Sequence, residues 1–310
     1  MLQTELKKRG ISYKCVAPTN KAARVVNGST IHKFVLSSTR KSMTDAKYEY
    51  LFIDEVSMIH EYFYKFFITL RRVRPELKFI IAGDFLQLLP VNDRVDCDYK
   101  NSPALYELCD GQRLQLSKCR RSDDKLFNIC NPDNIKNLKK SDFIKSSDKL
   151  YIKNLCFTNV KRKEINEVMM NKYITKRIQQ VKASKQSPPN PIIIKAREND
   201  ENSQDLKLMS GMPIIARKTT DKLDIMNNET FTILKINEDN FVINVNGSDV
   251  SINTKEFSDL FYVAFAMTIH KSQGQTFNHD YTIYEWEKLD KRLKYVALSR
   301  ATDLSCIHLA

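Results

Sequence analysis

The sequence predicts an α/β protein with two lobes built on parallel sheets and a small β-rich insert in the second. Three observations carry that prediction. Short apolar strands alternate with amphipathic helical stretches from the start to about residue 165, the βαβ pattern of a helix-covered parallel sheet. The stretch 231–252, FTILKINEDNFVINVNGSDVSI, alternates apolar and polar residues around turn signals at NEDN and NG, as an antiparallel insert does. The α/β pattern then returns with FYVAFAM (261–267), KYVALSR (294–300) and CIHLA (306–310).

A chain of 310 residues is long enough for two domains. In order, MLQTELKKRG reads as a helix, with Leu2 and Leu6 on one face and Gly10 as its stop. YKCVAP follows as a strand, then a helical segment, the strand YEYLFIDE, the helix HEYFYKFFITLRRV and the strand LKFIIAGD. ASKQSPPNP (183–191) reads as a linker. The expected division is a first lobe over 1–113 with a small insert near 35–48, a second lobe over 114–170 and 256–310, and linker plus β-rich insert over 171–255.

Bulk properties exclude several classes. The longest uncharged apolar runs are too short to span a bilayer. The charged amino terminus lacks the apolar stretch of a secretory signal, and seven cysteines without a CxxC pair fit a reduced, intracellular chain with no zinc site. A formal charge of +13 suits an anionic partner, most economically nucleic acid, whose phosphates release counterions on binding. Abundant Lys, Asn and Ile are equally what an AT-rich genome leaves behind, and such composition with a tail-free layout hints at a viral or similarly streamlined source.

The chemistry concentrates at strand ends, where parallel α/β sheets place their functional residues. An apolar strand from Tyr50 to Ile53 ends in Asp54 and Glu55, a pair that suits Mg²⁺ held through water and a proton accepted from an attacking water. A second strand leads into GDFLQLLPV (83–91), in which Gln87 has the reach and the amide to sense a γ-phosphate or position water.

Preceded by APTNKAA (17–23) and STIHKF (29–34) and followed by LSKCRRSDDKLF, AMTIHKSQGQTF and YVALSRA, these segments resemble, in that chain order, the motifs of superfamily 1 helicases, in the RecD-like branch that includes the petite-integration-frequency DNA helicases. The resemblance covers most of residues 11–310 and implies two RecA-like lobes, the insert being SH3-like. It implies an ATP-dependent helicase that travels 5′ to 3′ on single-stranded DNA, with ATP and Mg²⁺ as cofactors. Asp54 would organise Mg²⁺ through water, Glu55 act as general base and Gln87 couple the γ-phosphate to movement. Arg121, aligned by LxKxxR from Leu116, and Arg300, as arginine finger, would complete the catalytic set. Gly83, Asp84, Gly274 and Gln275 fall to the nucleotide. Pro18, Thr19, Asn20 and Lys21, with the rings of His32 and Phe34, would line a nucleic-acid groove, and Thr158, Asn159, His270, Lys271 and Gln273 would grip the strand from the second lobe.

The phosphate-cradling loop of such enzymes, GxxxxGKS or GxxxxGKT, does not occur in these 310 residues. The expectation is therefore a first lobe truncated at its amino terminus, its Walker A segment lost, mis-annotated or carried by a separate polypeptide. Two alternatives stand beside the motor: a catalytically dead single-stranded nucleic-acid-binding protein, and an RNA helicase of the viral superfamily 1 type. DNA repair or recombination is the expected setting.

Overall fold

The computed structural model describes residues 2–40, 47–90, 98–145, 153–184 and 190–310. The chain divides into two compact units, residues 1–118 and 119–310.

The first unit begins with helix α1 (Leu2–Lys8), which buries Leu6 while Leu2 stays half exposed, and ends before Gly10 at φ 67°. Then come β1 (Tyr13–Ala17), α2 (Asn20–Val25), β2 (Ser29–Thr30), α3 (Ile31–Arg40), β3 (Tyr50–Ile53), α4 (Glu61–Val73), β4 (Lys78–Ile81) and α5 (Pro103–Leu108). The strands form one parallel sheet in the order β2-β1-β3-β4. Its core joins Val16, Leu51 and Ile53 of the sheet to Phe63, Phe67 and Leu70 of α4 and to Ile31 and Phe34 of α3. The small insert expected near 35–48 falls partly outside the described residues. Residues 35–40 continue α3, because Ile31 and Phe34, three apart, lay the helix on the core; residues 41–46 lie outside the described residues.

The second unit contains α6 (Asp124–Ile129), α7 (Pro132–Ile135), β5 (Ile144–Lys145), β6 (Lys153–Cys156) and the long α8 (Asn159–Ala183). The β-rich region comes next as β7 (Ile192–Ile194), β8 (Leu206–Leu208), β9 (Pro213–Ala216), β10 (Thr230–Thr232), β11 (Lys235–Ile236), β12 (Asn240–Val245), β13 (Ser248–Asn253), α9 (Phe257–Leu260) and β14 (Phe261–Val263). Then come β15 (Ala266–Thr268), α10 (Ile269–Ser272), β16 (Tyr281–Ile283), α11 (Lys291–Leu298) and β17 (Ile307–Leu309). The second parallel sheet runs β15-β6-β16-β17-β5. The expected hairpin pairs β12 with β13 across Asn246 and Gly247, at φ 52° and 89°, the left-handed pair that a tight two-residue turn demands.

Three expected boundaries move. The end of the first lobe, expected at 113, falls at residue 118. The division at 170/171 falls inside α8, because Ile165, Met169, Met170 and Ile174 form one apolar stripe that no turn interrupts. The return to the second sheet comes after 256: β14 pairs with β9 of the insert, and the parallel sheet resumes at β15. The α8 stripe shares a core with Leu208, Ile214, Phe241, Phe261 and Phe265, so the insert is packed onto the helix that carries it. Much of the linker, residues 185–189, lies outside the described residues. Among the described residues no helix is long and apolar enough to cross a membrane.

Candidate functional site

In the first unit β3 delivers the acidic pair. The Asp54 amide donates to Val16 O at 3.0 Å, so Asp54 extends the sheet by one residue beyond the strand. Glu55 then turns left-handed, φ 52° and ψ 46°, and opens a 3-10 turn over Val56–Met58. That conformation costs a non-glycine residue roughly 1–2 kcal/mol, so its surroundings must impose it. They do so through two backbone bonds to the neighbouring strand end, Val56 N to Ala82 O at 3.0 Å and Ala82 N to Ile53 O at 2.8 Å.

Gly83 is where these two strand-end loops touch. A Cβ there would stand 2.6 Å from Val56 N and 2.7 Å from Val56 Cγ1, so the glycine is explained by backbone packing. Asp84 organises the loop beyond it: its carboxylate accepts from Leu86 N at 3.0 Å and from the Gln87 side-chain amide at 3.3 Å. Asp54, Glu55, Asp84 and Gln87 are all half-buried and lie on adjacent strand ends. The structure thus brings the acidic pair and Gln87 into one neighbourhood.

Pro18, Thr19, Asn20 and Lys21 lead from β1 into α2, where Thr19 caps the helix by accepting from Ala22 N at 3.2 Å. His32 is exposed and stands edge-on to Phe63, ring centroids 4.9 Å apart. Phe34 corrects the sequence reading. It is 4% exposed, packed against Tyr48, Phe66 and Phe67, and offers no ring to a base. The signal was its spacing from Ile31, which puts both on the inner face of α3 while His32 points away.

The second unit repeats the first unit's turn. After β16, Tyr284 and Glu285 trace the path of Asp54 and Glu55: Glu285 is left-handed, φ 60° and ψ 33°, and opens a 3-10 turn over Trp286–Lys288. Its carboxylate, 9% exposed, accepts from Phe157 N at 3.1 Å, Thr158 N at 2.9 Å, Thr158 Oγ1 at 3.1 Å and Lys288 Nζ at 3.1 Å. Burial pushes this carboxyl's pKa up, but the bonds from Thr158 and Lys288 outweigh it and hold the group below the usual range. Thr158 in turn caps α8 by accepting from Lys161 N at 3.1 Å, and Asn159 Oδ1 accepts from Arg162 Nε at 3.0 Å. Sequence reasoning missed Glu285. The layout of YTIYEWEKLD, an apolar strand running into a glutamate and then a helix, matches that of YLFIDEVSMI and would have pointed to it.

Arg300 is 1% exposed. Its guanidinium donates to Val296 O at 2.9 Å, Gln275 O at 3.2 Å and Ser299 Oγ at 2.9 Å, tying the Gly274–Gln275 turn to the end of α11. This corrects the expectation of a guanidinium reaching out to a phosphate: three acceptors of its own unit engage it. Arg121, which is exposed, donates to Ser299 O at 3.3 Å. Arg121, Arg300 and Gln275 therefore meet at one turn, and Arg121 is the cation presented to solvent. Gly274, at φ 73°, has open space where a Cβ would project.

The two TIHK segments share a local geometry. Thr30 ends β2 before α3 and Thr268 ends β15 before α10, and in both cases the histidine is exposed. Lys271, next along α10, turns inward over the Tyr262 ring at 4.6 Å, while Gln273 is half-buried. Among the described residues no group of three or more His, Cys, Asp or Glu side chains is placed to hold a metal. A magnesium ion held by one carboxylate and phosphate oxygens needs no such group, and Asp54 at a strand end fits that role.

Residues 2–93 match the model of an AAA domain. The fold is similar to that of Pif1 helicase from Bacteroides bound to ssDNA, at 20% identity and TM-score 0.67, covering 99% of this chain and 84% of that one. A second Bacteroides Pif1 structure, in complex with ADP-AlF3 and ssDNA, matches at 19% identity and TM-score 0.63, covering 96% and 82%. Pif1 helicase from Candida albicans matches at 16% identity and TM-score 0.66, covering 99% and 86%. No curated protein matches the chain.

Proposed function

We propose that this chain, which has the fold of the Pif1-like superfamily 1 helicases, belongs to an ATP-dependent DNA helicase that moves 5′ to 3′ along single-stranded DNA, the phosphate-cradling loop not being among these 310 residues. The observation that carries the reading is the strained acidic turn at Glu55, locked against the Gly83–Gln87 loop at the carboxyl ends of β3 and β4. Backbone strain held by two strand-end bonds is a device found at functional sites. The Bacteroides relative's complex with ADP-AlF3 and ssDNA supports nucleotide and single strand as the ligands here.

In this reading Asp54 would hold Mg²⁺, which when bound would supply charge neutralisation on the phosphates. Glu55 accepts the proton of the attacking water. Gln87, held by Asp84, orients that water. Within the second unit, Arg121 presents an exposed guanidinium of the kind that suits a phosphate oxygen. On the nucleic-acid side, exposed His32 and His270 sit at matching strand-to-helix junctions and offer rings to unpaired bases. Thr19 and Thr158 keep their adjoining helices in place through capping bonds.

The test uses the protein made from its own gene. ATP hydrolysis stimulated by single-stranded DNA is expected, with Glu55→Gln lowering the turnover rate about a hundredfold or more without weakening oligonucleotide binding. Duplexes with a 5′ tail should be separated in preference to those with a 3′ tail. Hydrolysis indifferent to DNA, or a Glu55→Gln protein as active as the original, refutes the reading.

A further inference from the structure

Where the β-rich insert joins α8 and α10, several elements of the second unit bring charge to a single ring. Tyr262 lies in β14. Lys271 Nζ stands 4.6 Å from its centroid, Arg217 Cζ 4.9 Å and Arg162 Cζ 5.1 Å. Lys271 comes from α10, Arg217 from the residue after β9 and Arg162 from the first turn of α8.

One carboxylate answers the three cations. Asp200, in the connection between β7 and β8, pairs with Arg217 at 2.7 Å and accepts from the Tyr262 hydroxyl at 3.3 Å and from Asn202 N at 3.0 Å. Other arginine donors go to neutral oxygens: Arg162 to Asn159 Oδ1 and Asn202 O, Arg217 to Ser258 O. The Lys271 ammonium rests on the ring and, among the described residues, meets no acceptor. Burial first, then Arg162 and Arg217, drive its pKa down to about 8, with Asp200 opposing.

A half-buried ammonium with three unused donors, beside two guanidinium groups and one acid, is two charges short of balance. The site is open on the side of Lys271, Tyr262 and Arg217, since the first two are half-buried and Arg217 keeps 19% of its side-chain exposure, while Arg162, 3% exposed, contributes charge from within. A planar carboxylate would engage one guanidinium fork; three cations arranged round a ring suit a tetrahedral anion with several oxygens.

We propose that Lys271, Arg162 and Arg217, set round Tyr262, form a binding site for a phosphoryl group. Its source is a backbone phosphodiester of nucleic acid or a small phosphorylated molecule. The nucleic-acid arm rests on the function proposed above; the site itself does not.

Binding an anion favours charged Lys271, so a proton is taken up wherever the free lysine is neutral. Affinity therefore falls as pH rises above about 8. Tyr262 is pushed up by burial and Asp200 is held down in net, so neither titrates in this window. The probes are a short oligodeoxyadenylate, tracked by fluorescence anisotropy, and inorganic phosphate, tracked by ³¹P resonance, each at about pH 7 and about pH 9. The proteins are the unmodified chain, Lys271→Met and Lys271→Arg, the arginine serving as a cation that does not titrate and as the reference for the ligand's own ionisation.

Relative to Lys271→Arg, the unmodified chain should lose about tenfold in affinity between the two pH values, as one proton linked to a pKa near 8 requires. Lys271→Met should bind about tenfold more weakly at neutral pH and show no such loss. Either probe behaving so supports the site and identifies the source. Oligodeoxyadenylate binding indifferent to Lys271, with no phosphate effect, overturns this inference and leaves the helicase reading intact. Lys271-dependent phosphate binding without oligonucleotide binding does the reverse. Neither probe binding at all overturns the site.

Discussion

Replacing Glu285 by alanine probes how the second unit holds its strand-to-helix junction. The carboxylate accepts from the backbone amides of Phe157 and Thr158 and from the Thr158 hydroxyl, and it pairs with Lys288. Each donor left without its acceptor costs about 1–3 kcal/mol when buried. Phe157 and Thr158 are half-buried, so water recovers part of that, and a loss of about 2–4 kcal/mol is expected. Glycine at 285 removes the same bonds but relieves the left-handed backbone, so it should be milder than alanine by about 1 kcal/mol. The assay is built into the chain: Trp286, the single tryptophan, is 1% exposed beside Glu285, and its fluorescence in a urea titration reports this unit alone. The Glu285 carboxyl is held below its ordinary pKa, so its stabilisation is present above the unfolded value near 4.3 and is lost as pH falls through the lower folded value. The difference between the two proteins should therefore shrink in acid. An alanine variant with an unchanged midpoint at neutral pH refutes the clamp.

Two further outcomes concern the first unit. Gly83→Ala should destabilise it by about 1–3 kcal/mol, seen as a lower melting temperature, because its Cβ meets backbone at 2.6 Å; unchanged melting would show that the two strand-end loops are not packed as described. Phe34→Ala should cost about 3–5 kcal/mol, while His32→Ala should cost under about 0.5 kcal/mol yet weaken oligonucleotide binding. The opposite pattern in urea titrations and anisotropy would mean that α3 presents its other face.

Much of the candidate site was legible. The strand ending in Asp54–Glu55 and the neighbouring strand running into Gln87 are local patterns, and the structure puts both at adjacent carboxyl ends of one parallel sheet. Residues whose part depends on packing were misread. Phe34 looked like a stacking ring because it lies close after His32, yet helix geometry turns it inward. Arg300 looked like a free finger, yet Val296, Ser299 and Gln275 occupy it. Glu285, Tyr262, Arg162 and Arg217 drew no notice, because their neighbours in space are far away in sequence.

The sequence by itself determined the alternation of strands and helices, the hairpin at Asn246–Gly247 and the chemical types available at each strand end. All of these depend on neighbours within a few residues, through backbone preference and side-chain periodicity. Only the tertiary structure decided which of the charged groups meet. Asp200, Arg217, Tyr262 and Lys271 come from separate elements joined by the packing of the insert on α8, and electrostatic interaction depends on distance in space, which residue order does not encode.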